Sequence, residues 1–212
     1  MRTDDLIKAL AADGATRPTA PERALALALL AGVPLAGILF ALFLGPRADI
    51  ATAIATWRFD FKLMVTTLLL FSAIPVLMRL ARPETSPRTA LLPLAIAPAL
   101  LAGGVVIELI TTPAPTWTAH TIGHNWRACL TIIPLLALTP LAAVMIALRN
   151  GAPASPTLSG AVAGILAGAI SATYYATLCT DDSPLFVATW YTIAILGLAV
   201  VGAIAGRTVL KW

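Results

Sequence analysis

Six apolar runs of helix length, at about 24–44, 61–80, 90–110, 129–148, 158–178 and 185–206, constrain this chain more than any other feature. A helix needs roughly 20 apolar residues to cross about 30 Å of hydrocarbon, and each run meets that length. Inside lipid every backbone N–H and C=O must be satisfied within the fold, which leaves helices or a closed barrel. Barrel strands would be about ten residues long with alternating polarity. The stretches 63–70 and 160–170 show no alternation. A chain that is 59% hydrophobic and 11% charged cannot clothe a water-facing surface, so its apolar excess faces a lipid bilayer. The expected fold is all-α: a polytopic membrane protein with a single bundle of six transmembrane helices over 23–212, preceded by a segment 1–22. That segment runs into the first span without a small-residue cleavage site, so Met1 is expected to stay.

Lys and Arg are distributed unevenly between the two faces that six crossings define. Arg2, Lys8, Arg17, Arg23, Arg79, Arg82, Arg88, Arg149, Arg207 and Lys211 fall on one face; Arg47, Arg58, Lys62 and Arg127 fall on the other. By the positive-inside rule both termini are cytoplasmic, and the loops around 45–60, 111–128 and 179–184 lie outside. The formal charge of +4 is spread over span ends rather than gathered in a patch with interleaved aromatics, so direct nucleic-acid binding is not expected. No metalloprotease helix motif, P-loop, dinucleotide fingerprint or ordered Ser-His-Asp set occurs, and catalysis is not expected.

Cys129 opens the fourth run and Cys179 closes the fifth, with arms of 21 and 22 residues to the loop between them. At about 1.5 Å per residue, equal arms of an antiparallel hairpin return both thiols to one depth, here the outer rim. A disulfide is geometrically plausible if these helices are neighbours. A static staple, a reversible thiol pair and a soft-metal site all fit this spacing. His120 and His124, one helical turn apart, precede Cys129, and Asp181 and Asp182 follow Cys179. Imidazole, thiolate and carboxylate meeting at one rim would suit a soft transition-metal ion acting as a signal; no resident cofactor is implied.

Glu108 is the acidic residue placed inside a span, near the outer end of the third, where an unpaired carboxylate is costly. Arg127, Arg58 and Lys62 are its candidate partners. Arg58 and Lys62 share a face if the second helix has begun there, and both are expected to snorkel outward. Trp117, Trp126, Trp190 and Tyr191 read as an aromatic belt. Pro34, Pro75, Pro93, Pro98, Pro134 and Pro140 should kink or shape their helices. Gly160, Gly164 and Gly168, and Gly202 with Gly206, recur every four residues, a spacing that lets backbones approach and permits a homo-oligomer without demanding one. Thr3 can cap a short N-terminal helix whose Asp4 and Asp5 suit the dipole. Leu6, Ile7 and Leu10 give that helix a small apolar face for a protein partner.

The opening Thr3-Asp4-Asp5-Leu6-Ile7 with Leu10-Ala11, Arg58-Phe59 with Lys62, Trp126-Arg127-Ala128-Cys129, and Cys179-Thr180-Asp181-Asp182-Ser183-Pro184-Leu185-Phe186 running to Trp190-Tyr191 together resemble the NrsF type of bacterial integral membrane anti-sigma factors, nearly end to end. The resemblance implies a protein of the bacterial inner membrane that sequesters an extracytoplasmic-function sigma factor and releases it under oxidative or heavy-metal stress. It implies that Cys129 and Cys179 take part in sensing. The family pattern places His immediately before the second Cys; here Leu178 stands there, which weakens metal coordination at that end more than thiol oxidation. The competing classes are a small-solute or metal-ion transporter, suggested by Glu108 and the kinked helices, and a membrane thiol-disulfide enzyme, which the absence of CxxC disfavours.

Overall fold

The computed structural model describes residues 21–82 and 87–210, together with Thr3. The described residues are helical, without strands, and six helices are long and apolar enough to cross a membrane. The first, second, fourth and fifth spans are Pro21–Phe43, Trp57–Leu80, Trp126–Leu148 and Pro156–Leu178. The third and sixth are composite. In the third, Pro87–Leu91 passes through a 3₁₀ turn, Leu92–Ala95, into Ile96–Thr111. The break falls at Pro93, which has no N–H to donate along the helix. In the sixth, Pro184–Phe186 leads through a π turn, Val187–Tyr191, into Thr192–Val209. The expected single helices at these two places are thus segmented, while Pro34, Pro75, Pro134 and Pro140 sit inside continuous helices.

Small residues decide which helix lies at the centre. The fifth span packs against the second, fourth and sixth, and the first packs on the fourth. A Cβ at Gly160 or Gly164 would strike the backbone carbonyls of Gly202 and Leu198, and one at Gly206 would strike that of Pro156. The fifth and sixth helices therefore touch backbone to backbone, where dispersion rather than side-chain burial holds them. These glycines are used inside the chain. Tyr174 ties the first span to the fifth by donating to the Val33 carbonyl at 3.0 Å and stacking on Phe40 at 5.8 Å. The third span lies at the edge, packed mainly on the second.

Both ends of the described bundle emerge on one face. There Arg82 pairs with Glu22, and Arg207 donates to the Thr157 hydroxyl at 3.1 Å. The opposite face, the cysteine end, gathers the loops 44–56, 112–125 and 179–183. Two short helices occupy the first two of these loops, Ile50–Ala53 and Trp117–Ile122. Of the expected sigma-factor segment, Thr3 is helical and exposed; Asp4, Asp5, Leu6, Ile7 and Leu10 lie outside the described residues.

Candidate functional site

The fifth span ends at Cys179, where the backbone turns extended, and Thr180 to Ser183 form a short loop before Pro184 opens the sixth span. This short loop is the hub of the cysteine end. Between them its polar groups hold several parts of the bundle.

Lys62 reaches it from the second span. Its side chain is fully buried, and Nζ donates to the Cys179 carbonyl at 2.8 Å and to Asp182 Oδ1 at 2.5 Å. Arg47, in the loop after the first span, donates to Asp182 Oδ2 at 2.8 Å and to Asp49 at 2.6 Å. Its backbone N–H also bonds the Thr177 carbonyl at 3.0 Å. The guanidinium holds the Asp49 carboxyl below its ordinary range, chiefly through that hydrogen bond. A buried ammonium survives here because two acceptors, one of them charged, replace its water.

Glu108 comes from the third span and is also fully buried. One oxygen faces Arg58 at 3.2 Å and His120 Nδ1 at 3.1 Å. The other accepts from Ser183 Oγ at 2.8 Å and from the Leu185 N–H at 3.1 Å. The carboxylate therefore sits at the N-terminus of the sixth span, where unpaired N–H groups and the helix dipole favour negative charge. Asp181 does the same for the fourth span. Its Oδ2 accepts from the N–H groups of His124 and Asn125, at 3.0 and 2.7 Å, and from Asn125 Nδ2 at 2.9 Å. Gly123 makes this approach possible, since its φ of +60° and the nearness of Phe186 and Asp181 leave no room for a Cβ.

Under this polar layer lie the two thiols, both free and both buried. They stand within electrostatic reach of each other and of Tyr175 and Tyr191. Tyr175 donates to the Asn125 carbonyl at 3.3 Å, and its ring lies 5.8 Å from that of Tyr191. The Tyr191 hydroxyl is buried without a hydrogen-bond partner. Cys179 Sγ lies 3.7 Å from the Asp181 carbonyl, and burial pushes its thiol above the ordinary range against the opposing pull of Lys62.

Several expectations meet this geometry directly. Cys129 and Cys179 share one end on neighbouring helices, and they are separate thiols here, not a disulfide. Arg58 is the partner of Glu108. Lys62 goes instead to Asp182, and Arg127 lies over the Trp126 ring at 5.0 Å. Lys62 does not snorkel, because its acceptors are inside the bundle. Tyr191 is not a belt residue, for the π turn rotates it into the core, whereas Trp126 and Trp190 do stack at 5.3 Å near the rim. His120 and His124 turn to different carboxylates, Glu108 and Asp181, because the helix that carries His120 stops at Ile122. Among the described residues no group of three or more His, Cys, Asp or Glu side chains could hold a metal ion. The thiols face inward and the imidazoles outward, so the expected joint donor set does not form. Sequence reasoning missed Arg47, Asn125 and Ser183; the only signal was polarity beside a span end.

Two cavities border the joint. One of about 360 Å³, open to solvent, is lined by Arg58, His120, His124, Thr180, Asp181 and Asp182. The other, about 290 Å³, lies between the second, third, fifth and sixth spans and is lined almost wholly by apolar side chains such as Leu69, Leu101 and Ile195.

Known proteins with the same sequence pattern give this arrangement a context. Residues 10–212 match the family described as negative regulator of sigma F. The chain is 37% identical to the anti-sigma-F factor NrsF of Caulobacter vibrioides over 218 residues, covering 100% of both chains. It is 32% identical to the probable anti-sigma-F factor NrsF of Azospira oryzae over 216 residues, again covering 100% of both. No solved structure matches it. With the family pattern matched almost from end to end and two full-length relatives above 30% identity, this chain belongs to the NrsF family, the negative regulators of sigma F.

Proposed function

We propose that the protein is a membrane-bound anti-sigma factor that holds an extracytoplasmic-function sigma factor at the bacterial inner membrane and lets it go when the cysteine end is chemically altered. Both termini face the cytoplasm, the face rich in Lys and Arg, and the cysteine end faces outward. The signal is an oxidant, or a soft heavy-metal ion, acting on Cys129 and Cys179. The N-terminal segment, through Thr3, Asp4, Asp5, Leu6, Ile7 and Leu10, supplies the surface that the sigma factor binds.

One observation carries this reading beyond the family: the residue bearing the Cys179 thiol is the residue whose carbonyl anchors buried Lys62. A change at the sulfur that rotates this loop must disturb Lys62, and with it the second span. That helix runs the full depth of the bundle to Leu80, next to the Arg82–Glu22 pair at the start of the first span. A packed helix transmits such a displacement because cores deform in discrete steps. The signal shifts the sigma factor only by as much as it favours one packing over the other. The transporter alternative draws little support from the inner cavity, whose lining is apolar but for Thr66, Tyr191 and Thr192 and holds no charged group.

The test is recovery of cytoplasmic proteins with the intact chain and with a variant lacking residues 1–22, from native membranes, with and without a hydroperoxide or cadmium. The sigma factor is expected with the intact untreated chain alone. Its absence from every sample would sink the proposal.

A further inference from the structure

The two thiols are not equivalent, and their surroundings assign them an order of reaction. Cys129 sits within the fourth helix, completely enclosed. Cys179 stands at the helix exit, and its neighbours Thr180, Asp181 and Asp182 line the open polar cavity. Lys62, whose charge acts on both sulfurs, is bonded only to the Cys179 end of the pair, donating to its carbonyl at 2.8 Å. The second, independent observation is Tyr191. Its hydroxyl is buried beside the Cys179 thiol and has no hydrogen-bond partner of normal geometry. A buried O–H with no acceptor is uncommon, since native structures satisfy nearly all such groups. It lies in a π turn, a distortion that recurs at functional positions.

We infer that Cys179 is the thiol that reacts first with a hydroperoxide, that the Tyr191 hydroxyl is the donor which receives the new oxygen, and that Cys129 is the resolving thiol. This rests on the sensing role proposed above. The Cys179 sulfur attacks one peroxide oxygen; an S–O bond forms, the O–O bond breaks, and the departing alkoxide takes the thiol proton and leaves as alcohol. Sulfur is oxidised to sulfenic acid and the peroxide is reduced. The Cys129 thiolate then attacks the Cys179 sulfur. An S–S bond forms, the S–O bond breaks, and the hydroxide leaves as water with the proton from Cys129. Tyr191 is a positioning residue whose O–H gains an acceptor only while the sulfenic acid exists.

The experiment uses the full chain in detergent, treated with hydrogen peroxide and then with a cyclic 1,3-dione that traps sulfenic acids, and read by peptide mass spectrometry. In Cys129→Ser the adduct should accumulate on Cys179, at least tenfold above the adduct on Cys129 in Cys179→Ser. Tyr191→Phe, added to Cys129→Ser, should fold normally and lower the trapped fraction several-fold, with further oxidation to sulfinic acid in its place. Equal or greater labelling of Cys129 would overturn the order while leaving thiol sensing intact. An unchanged yield in the Tyr191→Phe variant would remove Tyr191 from the step. If neither cysteine reacts while peroxide still releases the sigma factor, the order and the cysteine-sensing reading both fail.

Discussion

The seam between the fifth and sixth spans and the joint at the cysteine end hold the bundle together by opposite means. At the seam, glycines bring backbone against backbone, and there is no group that ordinary chemistry can alter. At the joint, Lys62 and Glu108 are buried charges held by partners from outside their own helices, and two thiols lie beneath them. Buried ion pairs add little net stability over apolar packing but are costly to break on one side. The seam is therefore suited to be a fixed axis and the joint to be a part with more than one arrangement. The third span extends the contrast: 17% of its core window is buried inside the bundle, against 67% for the fifth. It can be pulled through Glu108 without unmaking the centre.

Substitutions at the two regions should separate these roles. The largest loss is expected for Gly164→Val, which drives a side chain into the Leu198 carbonyl. Overpacking at a site that cannot yield should cost about 3 kcal/mol or more. A denaturant or thermal titration in detergent would show it, and a stable Gly164→Val protein would mean that the seam is looser than described. Lys62→Met comes next. It leaves Asp182 with Arg47 and the Cys179 carbonyl with only the longer Arg47 contact at 3.4 Å, a loss of about 2 kcal/mol for charged hydrogen bonds. Glu108→Gln keeps an acceptor for the Leu185 N–H but gives up the charge facing Arg58, which is 34% exposed, so the cost should be about 1 kcal/mol.

The smallest effect is kinetic. Burial raises the Cys179 thiol, so the native state disfavours the thiolate, and the unfolded chain gives up this proton at lower pH. Stability linked to this group is complete below the ordinary thiol range and declines as pH rises through it. In Cys129→Ser, alkylation of Cys179 by a small reagent should still accelerate above pH 9, where a solvated thiol with a pKa of about 8.5 is levelling off. A rate that levels like a free thiol would contradict the enclosed site.

Much of the frame was legible from local pattern. The six spans follow from apolar runs, and the seam from glycines at every fourth position. The shared depth of Cys129 and Cys179 follows from equal helix lengths, and Arg58 was a foreseeable partner for Glu108. What was not legible depends on contacts between distant segments. Nothing near Lys62 in sequence announces Asp182 or the Cys179 carbonyl, 120 and 117 residues away, so its burial had no local sign. The inward turn of Tyr191 depends on a π turn, which adds one residue to a helical period and shifts the face that a simple wheel predicts. His120 and His124 looked like one ligand pair only while the helix was assumed to continue past Gly123, whose positive φ ends it.

The most direct test of the account compares sigma-factor retention by the wild type, Lys62→Met and the double variant Cys129→Ser/Cys179→Ser in the same membranes, each with and without hydroperoxide. If the joint transmits the signal, folded Lys62→Met sheds the sigma factor without any oxidant, and the double variant keeps it in the oxidant's presence. A Lys62→Met protein that folds, retains its sigma factor and still releases it on oxidation would contradict the account.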